Sequence, residues 1–279
     1  MGGGLEAVLR PRILGILNVT PDSFSDGGQL PSIEDAVGRA HRFAREGADA
    51  IDIGGESTRP GSRPVSLETE LKRVVPILDA LADFPLPISI DTRRAAVAAA
   101  AAERGATILN DTAALRDDPE IATVASAHQM DVVLMHRSGT PETMQIDPRY
   151  DDVISEVRFF FEERIEAAIG AGIAIDRILL DPGLGFGKRK EDNYELVNRC
   201  QELRIEGTRL LVGASRKSFL EPFDGRDPEQ RLPGSLAFVA RCRRLGVDWV
   251  RVHDVADTVR FLDTLEAIDE PASVTGGVV

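Results

Sequence analysis

The sequence predicts a TIM barrel, a single-domain (β/α)8 fold, and three observations support this prediction. Short runs rich in leucine and β-branched residues alternate regularly with longer segments of helical periodicity. The strand-like runs are almost continuously apolar, as expected for parallel strands that are buried on both faces. The alternation fills about 250 residues, the usual size of this fold, and no linker rich in proline, glycine or serine divides the chain.

The strand-like runs number eight, and each leads into a segment with helical periodicity. In a barrel of this kind, the loops at the C-terminal ends of the strands carry the active site. We assign residues 1–12 to an N-terminal extension, 13–268 to the barrel and 269–279 to a C-terminal tail that we expect to be disordered. Predicted strands cover residues 13–19, 48–54, 87–91, 106–111, 131–136, 177–181, 210–214 and 248–252.

The clearest helix between these strands covers residues 151–169. Its apolar side chains recur at the 3.6-residue period of a helix, so they fall on one face. Trp249, in the eighth strand, is expected in the core rather than in a binding site. The apolar face of the helix comprises Val153, Ile154, Val157, Phe160, Phe161, Ile165, Ala168 and Ile169.

The composition excludes several classes of function. The chain is 43% hydrophobic and 28% charged, which is typical of a soluble globular protein, and its formal net charge is −13. We therefore expect no nucleic-acid and no membrane partner, because both bind a cationic face. No apolar run approaches the roughly 20 residues that span a bilayer, and no apolar secretory stretch is present, so we expect a cytoplasmic protein. Cys200 and Cys242 lie in no metal-ligand pattern, so we expect neither structural zinc nor a disulfide framework.

Polar and charged residues follow the predicted strands at their C-terminal ends. One such residue is more often a helix cap or a turn residue than a ligand. Here all eight strand ends carry candidates, so the loops converge on one face and predict a site there. The candidates are Asn18, residues 54–61, Asp91, Asn110–Asp111, His136, residues 181–188, residues 215–217 and His253–Asp254.

The seventh and eighth strand ends concentrate cations in an otherwise acidic chain. TIM barrels often bind phosphate in these two loops, and charge-assisted hydrogen bonds suit a phosphate or diphosphate. We therefore predict an anion site at Lys217, Arg251 and His253. For Arg216 we expect an ion pair with a helix carboxylate instead. The same pairing is the alternative for Arg251, and a capping role is the alternative for His253.

The third, fourth and sixth strand ends offer Asp91, Asn110 and Asp181, whose oxygens are costly to bury without a partner. Carboxylate and amide groups in a barrel mouth suit a flat heterocycle with amidine-like N–H donors. The alternative is that Asp91 and Asp181 cap the helices that follow. The glycines at 183–187 resemble a dinucleotide-binding fingerprint only weakly, because they follow the sixth strand without the required downstream acid.

Eight segments occur in one order along the chain: LNVTPDSFSDGG, GGESTRPG, SIDT, ND at 110–111, LMH followed by GTPETMQ, DPGLGFGK, GASRKSFL and RVHDV. Through them, residues 13–262 resemble the dihydropteroate synthase family, the folate-pathway enzymes that sulfonamides inhibit. The resemblance implies a transferase that condenses 6-hydroxymethyl-7,8-dihydropterin diphosphate with para-aminobenzoate. The implied products are 7,8-dihydropteroate and pyrophosphate, and the implied cofactor is Mg²⁺. Because family members are commonly dimers, a homodimer is implied as well.

The resemblance also assigns residues to the pterin half of the site. Arg251 and His253 would hold the diphosphate, and Asn18 would position Mg²⁺ and the leaving pyrophosphate. The residues that would hold or line the pterin ring are Asp91, Asn110, Asp181, Lys217 and Met135.

The aminobenzoate half of the site is assigned in the same way to the first two loops. We expect the segment 17–28 to fold over the site, because its glycines allow the movement. The residues implied in para-aminobenzoate binding are Phe24, Thr58, Arg59 and Pro60. The residues implied in catalysis are Lys217, Arg59, Asp26 and Phe24.

Two positions depart from the family pattern. Thr112–Ala113–Ala114 stands where the family usually has a Val-Ser-Gly-like stretch, so we expect an altered loop path there. Arg137 replaces an apolar residue, and we expect it to add a cation near the barrel mouth. Two alternative functions remain: a catalytically weak or silent pterin-binding paralogue, and a corrinoid-type pterin methyltransferase domain. The second would not need Lys217, Arg251 and His253 to bind a diphosphate.

Overall fold

The computed structural model of the chain is a closed barrel of parallel strands, each paired with the next in chain order. The structure describes residues 10–20, 32–57, 62, 64–139, 143–144, 146–221 and 227–270. The eight strands are β1 (Arg12–Asn18), β2 (Ala50–Gly54), β3 (Ile88–Asp91), β4 (Ala106–Asp111), β5 (Asp131–Met135), β6 (Ile178–Asp181), β7 (Arg209–Val212) and β8 (Trp249–Val252). Every strand lies within two residues of its predicted bounds, so the predicted TIM barrel is confirmed.

A helix follows each strand and covers the outside of the barrel. Helices α1 and α2 begin after serine N-caps, because the Oγ atoms of Ser32 and Ser66 accept 3.1 Å hydrogen bonds from backbone N–H groups three residues later. The described helices are α1 (Ile33–Glu46), α2 (Leu67–Ala80), α3 (Ala95–Ala102), α4 (Ile121–Ala127), α5 (Val153–Gly170), α6 (Lys190–Asn198), α7 (Leu232–Arg244) and α8 (Val255–Asp269).

Helix α5 confirms the predicted helix at 151–169, with two exceptions on its apolar face. Ile169 is 48% exposed and lies in the last turn, one residue before the helix ends. Phe160 is only half-buried, and its ring packs edge-on against His136 with 4.8 Å between the ring centroids. The buried residues of the face are Val153, Ile154, Val157, Phe161, Ile165 and Ala168.

The lower half of the barrel interior is closed by an apolar cluster that is separate from the larger core between strands and helices. Each contributing strand sends one side chain inward. We call this set the floor cluster: Leu14, Ala50, Ile108, Val133, Leu179, Leu211 and Trp249. Because inward-facing residues of a strand are two positions apart, the next inward layer of each strand lies closer to its C-terminal end.

Several further predictions can be compared with the described residues. Trp249 is 5% exposed and confirms the predicted core position. Cys200 and Cys242 are buried free thiols. Within the described residues, none of the helices is long and apolar enough to cross a membrane. The proposed extension 1–12 and tail 269–279 stay predictions, since most of their residues lie outside the described ranges.

Candidate functional site

Two residues beyond the floor cluster, β2, β4, β6 and β8 turn polar side chains into the barrel, and β3 adds two more. Ala50 is followed by Asp52 on β2, and Trp249 is followed by Arg251 on β8. The alternation of a β-strand therefore places a charged layer directly above an apolar one. We call this set the polar layer: Asp52, Ser89, Asp91, Asn110, Asp181 and Arg251.

One pocket opens above the polar layer, at the C-terminal ends of the strands. It brings together seven residues predicted from the sequence: Asp91, Asn110, Met135, Asp181, Lys217, Arg251 and His253. It is also lined by residues to which the sequence analysis gave no role, and these are Ile16, Thr112, Gly183, Leu184, Phe186, Gly213 and Ser215. Asn18 is not part of this lining. It ends β1, half-buried, with its Oδ1 3.6 Å from the position that a Cβ would take at Gly54.

Asp52 is the centre of the hydrogen-bond network beneath the pocket, and the sequence analysis missed it. The Oγ of Ser89 donates to its Oδ1 at 2.6 Å. Its Oδ2 accepts from Nδ2 of Asn110 at 3.0 Å and from Nε of Arg251 at 2.6 Å. Asp52 is fully buried, so it orients two pocket residues without reaching the pocket itself. A carboxylate inside the apolar run ADAIDIG was the available signal.

Arg251 bridges two carboxylates of the polar layer. Besides Asp52, it donates from Nη2 to Oδ2 of Asp91 at 2.9 Å. The partners of Arg251 are thus strand carboxylates, so the alternative of pairing with helix carboxylates is wrong. Burial raises the pKa of Asp91, and Arg251 acts in the opposite direction. The pocket therefore holds a buried carboxylate whose charge depends on one arginine.

The alternative that the aspartates cap helices is also wrong. Oδ1 of Asp181 accepts a 2.8 Å hydrogen bond from the backbone N–H of Gly183, and α6 begins only at Lys190. Asp91 makes its bond to Arg251, and the residue at the N-cap of α3 is Arg94. Burial raises the pKa of Asp181 as well. Both carboxylates keep acceptor capacity toward the pocket.

Lys217 crosses the pocket toward the loop after β6. Its Nζ donates to the carbonyl oxygen of Leu184 at 2.8 Å and lies 4.0 Å from the ring centroid of Phe186. Burial lowers the pKa of Lys217 to about 7, although Asp181 favours the charged form. A nearby anion would restore the charge of this lysine.

The other predicted cations have different surroundings. Arg216 forms a bidentate ion pair with Asp254, whose Oδ2 lies 3.0 Å from its Nε, which confirms the expected pairing. His253 lies beside Ser215, with 3.1 Å between Nδ1 and Oγ. Arg137 follows the end of β5, but it is buried, pairs with Asp117 at 3.3 Å and does not line the pocket. Its charge is directed at the loop after β4 rather than at solvent.

The loop after β4 follows a left-handed path despite its missing glycine. Ala114 and Leu115 have φ values of 52° and 63°. Asp111 stabilises this path, because its carboxylate accepts from the N–H groups of Ala113 at 2.7 Å and of Leu115 at 2.6 Å. The alanine thus adopts a conformation that glycine adopts at lower cost.

The predicted residues of the first two loops, Phe24, Asp26, Thr58, Arg59 and Pro60, lie outside the described residues. The described flanks of the second loop are held by Arg94. Its guanidinium ion-pairs with Oε2 of Glu56 at 3.0 Å, before the loop, and donates to the carbonyl oxygen of Val65 at 2.5 Å, after it. The same side chain pairs with buried Glu70 of α2 at 2.6 Å. The guanidinium of Arg94 therefore contacts both the start and the end of the second loop.

The resemblance implies Mg²⁺ as the cofactor, and it assigns Asn18 at the rim of the barrel to this ion. The described residues contain no group of three or more His, Cys, Asp or Glu side chains that could hold a metal ion. Asn18 offers a neutral oxygen, the kind of ligand that Mg²⁺ accepts. Mg²⁺ is commonly held by one or two protein oxygens together with substrate phosphates and water. Asn18 and a bound diphosphate fit that pattern.

A closed (β/α)8 barrel with convergent carboxylate, amide and cationic side chains at its mouth defines a barrel enzyme that binds a small polar molecule. The family model described as pterin binding enzyme matches residues 14–253. The chain is 46% identical over 258 residues to a dihydropteroate synthase of Escherichia coli (strain K12), covering 92% of this chain and 91% of the relative. It is 44% identical over 261 residues to one of Synechocystis, covering 93% and 90%. The chain belongs to the dihydropteroate synthase family of pterin-binding enzymes.

Solved structures agree with this assignment. A Yersinia pestis dihydropteroate synthase in complex with a sulfonamide drug has a TM-score of 0.88 and 44% identity, covering 94% of this chain and 95% of that chain. A Xanthomonas albilineans dihydropteroate synthase in complex with 7,8-dihydropteroate has a TM-score of 0.83 and 43% identity, covering 95% of both chains. The family resemblance found in the sequence motifs is confirmed.

Proposed function

We propose that this chain catalyses the reaction for which its family is named. It condenses 6-hydroxymethyl-7,8-dihydropterin diphosphate with para-aminobenzoate, and it releases pyrophosphate and 7,8-dihydropteroate. The observation that carries the proposal is the pocket itself, where buried acceptors at Asp91, Asn110 and Asp181 face the cations Lys217 and Arg251. A pterin diphosphate needs this combination, because its ring offers N–H donors and its tail is anionic.

The pterin ring is proposed to occupy the slot between the polar layer and Met135. Asp91 and Asp181 accept hydrogen bonds from the ring nitrogens, and Asn110 can donate as well as accept. Asp52 supports this arrangement, because it fixes the side chain of Asn110 through a 3.0 Å hydrogen bond. Burial raises the pKa values of both pocket aspartates, so N–H donors from a ligand would stabilise their charged forms.

The diphosphate is proposed to bind toward β7 and β8, at Lys217, Arg251 and His253. Arg251 touches the carboxylate of Asp91, so it is placed between the pterin end and the diphosphate end of the substrate. Asn18 is proposed to hold Mg²⁺ at the rim. When bound, Mg²⁺ supplies Lewis-acid stabilisation of the negative charge on the leaving pyrophosphate.

The protein's part in the reaction is mainly orientation and electrostatic stabilisation. The bond between the pterin methylene carbon and the diphosphate oxygen breaks, and the aromatic amine attacks the carbon. An aromatic amine is already a nucleophile, so the site must align it and exclude competing water. We propose that Phe24, Thr58, Arg59 and Pro60 hold the aminobenzoate, and that Asp26, Phe24, Arg59 and Lys217 take part in catalysis.

The experiment that tests this function is a coupled assay of pyrophosphate release with both substrates. We expect release that requires para-aminobenzoate as well as the pterin diphosphate. Folded protein that binds the pterin but releases no pyrophosphate would support the silent paralogue instead. The corrinoid-type methyltransferase is disfavoured, because it has no use for the cations beside the pterin pocket.

A cytoplasmic homodimer is proposed as the working form of the enzyme. The family resemblance supports it, and the outer helices expose large apolar side chains, including Phe159 at 64% and Tyr194 at 39%. Light scattering is expected to give about twice the chain mass of 30.2 kDa. A mass equal to that of one chain would contradict the dimer.

A further inference from the structure

Lys188 is a buried lysine that the proposed chemistry does not use. It is 4% exposed and has no ion-pair partner within the described residues. Its Nζ lies 3.0 Å from the carbonyl oxygen of Gly183, 3.1 Å from that of Phe186 and 3.3 Å from that of His136. It also lies 2.9 Å from Nδ1 of His136. Four acceptors thus surround one ammonium group.

This cage has the chemistry of a monovalent-cation site formed largely by the backbone. Carbonyl oxygens coordinate potassium and ammonium ions in the same manner, by turning their negative ends toward the charge. A buried positive charge is costly unless such dipoles or carboxylates compensate it. Burial lowers the pKa of Lys188 to about 7, and the nearby carboxylates of Asp181 and Asp192 act in the opposite direction, so the ammonium form predominates below pH 7. The carbonyls are therefore the direct partners of the charge.

The backbone of the loop after β6 explains why a cation is needed here. Gly183, Gly185 and Gly187 have φ values of 64°, 78° and 67°, a left-handed path that favours glycine. The loop lies directly on the end of β5, because a Cβ at Gly183 would collide with the carbonyl oxygen of His136. This path brings the carbonyl oxygens of His136, Gly183 and Phe186 close together, and the ammonium group of Lys188 donates hydrogen bonds to all three.

The other side of the same loop forms a wall of the pterin pocket. Leu184 and Phe186 line the pocket, and Leu184 offers its carbonyl oxygen to Lys217 at 2.8 Å. Met135, next to His136, also lines the pocket, and its Cγ lies 3.2 Å from the position that a Cβ would take at Gly183. Any displacement of the loop from His136 would therefore widen the slot and remove the hydrogen bond that positions Lys217.

We propose that Lys188 is a positioning residue that acts as a built-in cation: its ammonium group holds the loop 183–187 against the end of β5 and so sets the width of the pterin slot. Lys188 does not touch the substrate. It acts through Leu184, Phe186 and Met135, and through the orientation of Lys217. This inference rests on the proposed function, because it identifies the pocket as the pterin site.

The first test compares Lys188→Ala and Lys188→Met with the wild type. The probe is 6-hydroxymethyl-7,8-dihydropterin without its diphosphate, titrated by calorimetry. We expect both variants to bind it about 10- to 100-fold more weakly, since a displacement of one ångström at a site is known to cost about that much. KM for the pterin diphosphate should rise in parallel, and KM for para-aminobenzoate should change by less than about twofold.

The second test is chemical rescue of the empty cage. Potassium or methylammonium chloride is expected to restore a large part of the pterin affinity of Lys188→Ala, with saturation. Neither salt should help Lys188→Met, because the methionine side chain fills the cage without a charge. Tetramethylammonium chloride at the same ionic strength is the control, since it is too large to enter. Lys190→Ala removes an exposed neighbouring lysine and should leave pterin binding unchanged.

The outcomes separate this inference from the function on which it rests. Variants that bind the pterin as tightly as the wild type overturn it, even when their melting temperatures fall. Equal rises in both KM values without cation rescue also overturn it, because they indicate a general loss of structure. A wild type that binds no pterin contradicts the proposed function itself. If Lys188→Ala does not fold, the volume-conserving Lys188→Met still permits the calorimetric comparison.

Discussion

On β2, β4, β6 and β8 the floor cluster and the polar layer lie two residues apart, yet their side chains have opposite physical chemistry. The floor cluster consists of packed apolar side chains, and their burial stabilises the fold. The polar layer buries Asp52, Asp91 and Asp181 beside Arg251, and such burial is costly until charges and donors are matched. The floor cluster therefore stabilises the protein without ligand, whereas the polar layer offers charged and polar groups that a ligand can pair with.

The difference extends to the pKa values of the pocket residues. Burial raises the pKa values of Asp91 and Asp181 and lowers that of Lys217. Each shift means that the charged form is less stable in the empty pocket than in water. A ligand with N–H donors at one end and a diphosphate at the other end would favour the charged forms of all three groups. Substitutions in the two layers should consequently affect different measurements.

The largest effect is expected for Lys217→Ala. Lys217 is proposed to contact both the ring and the departing diphosphate, so its loss should remove charge stabilisation where the bond breaks. We expect turnover with both substrates saturating to fall about 10²- to 10³-fold, as for the loss of one preorganised donor. Circular dichroism should show an unchanged fold. Turnover close to that of the wild type would refute the role assigned to Lys217.

Asp91→Ala tests the polar layer through binding rather than turnover. Asp91 is proposed to accept hydrogen bonds from the pterin ring, so its loss should abolish pterin binding measured by calorimetry. Arg251 keeps its 2.6 Å bond to Asp52, so the variant does not leave that arginine unpaired. The loss of affinity should therefore exceed the loss of stability. An unchanged pterin affinity would contradict the ring-pocket assignment.

Leu211→Ala is the matching substitution in the floor cluster. Leu211 is 1% exposed, and its truncation should lower the free energy of unfolding by about 2–5 kcal/mol. KM for both substrates should stay within about twofold at temperatures where the variant is folded. Ile268→Ala, at a position that is 65% exposed, is the control and should change stability by less than about 0.5 kcal/mol. A selective loss of pterin affinity in Leu211→Ala would contradict the view that the floor cluster affects stability and the polar layer affects ligand binding.

Proton uptake provides a smaller and more specific test. Burial lowers the pKa of Lys217 to about 7, so this lysine is mostly neutral in the free enzyme at pH 8. A bound diphosphate raises the pKa, and binding at pH 8 should therefore take up a proton, whereas at pH 6 the lysine is already charged. Calorimetry in buffers of different ionisation enthalpy measures this uptake. It should be greater at pH 8 than at pH 6, and Lys217→Met should reduce the difference without abolishing it, because Asp91 also titrates in this range and loses its proton when it accepts N–H donors.

The fold could be predicted from the sequence because strand and helix periodicity are local signals. The positions of Asp91, Asn110 and Asp181 could also be predicted, since residues at strand ends share one face of a barrel. The ion pair of Arg137 could not be predicted, because its partner Asp117 lies on another loop. The role of Lys188 could not be predicted, because its direct partners are three backbone carbonyls and one histidine, and carbonyls leave no trace in a sequence.

The smallest effect is expected for Ala114→Gly. This substitution tests whether the barrel mouth carries backbone strain that the floor cluster lacks. In the described residues, the non-glycine residues with positive φ include Ala114, Leu115 and Arg216 near the mouth, and none from the floor cluster. Glycine adopts φ near 52° without steric cost, but it also gains entropy in the unfolded chain. Because the methyl group of Ala114 is fully buried, its loss offsets part of the relieved strain, and the free energy of unfolding should change by less than about 1 kcal/mol, measured by denaturant unfolding.

Gln129→Gly is the matched control for this last prediction, because Gln129 has the same φ of 52° and lies after α4, away from the pocket. A similar gain at both positions would show that Ala114 carries only local strain. The hydrogen bonds from Asp111 already hold the loop on its left-handed path. We therefore expect kcat/KM for the pterin diphosphate to stay within about twofold in both variants. A change confined to Ala114→Gly would indicate that the missing glycine has altered the wall of the pocket.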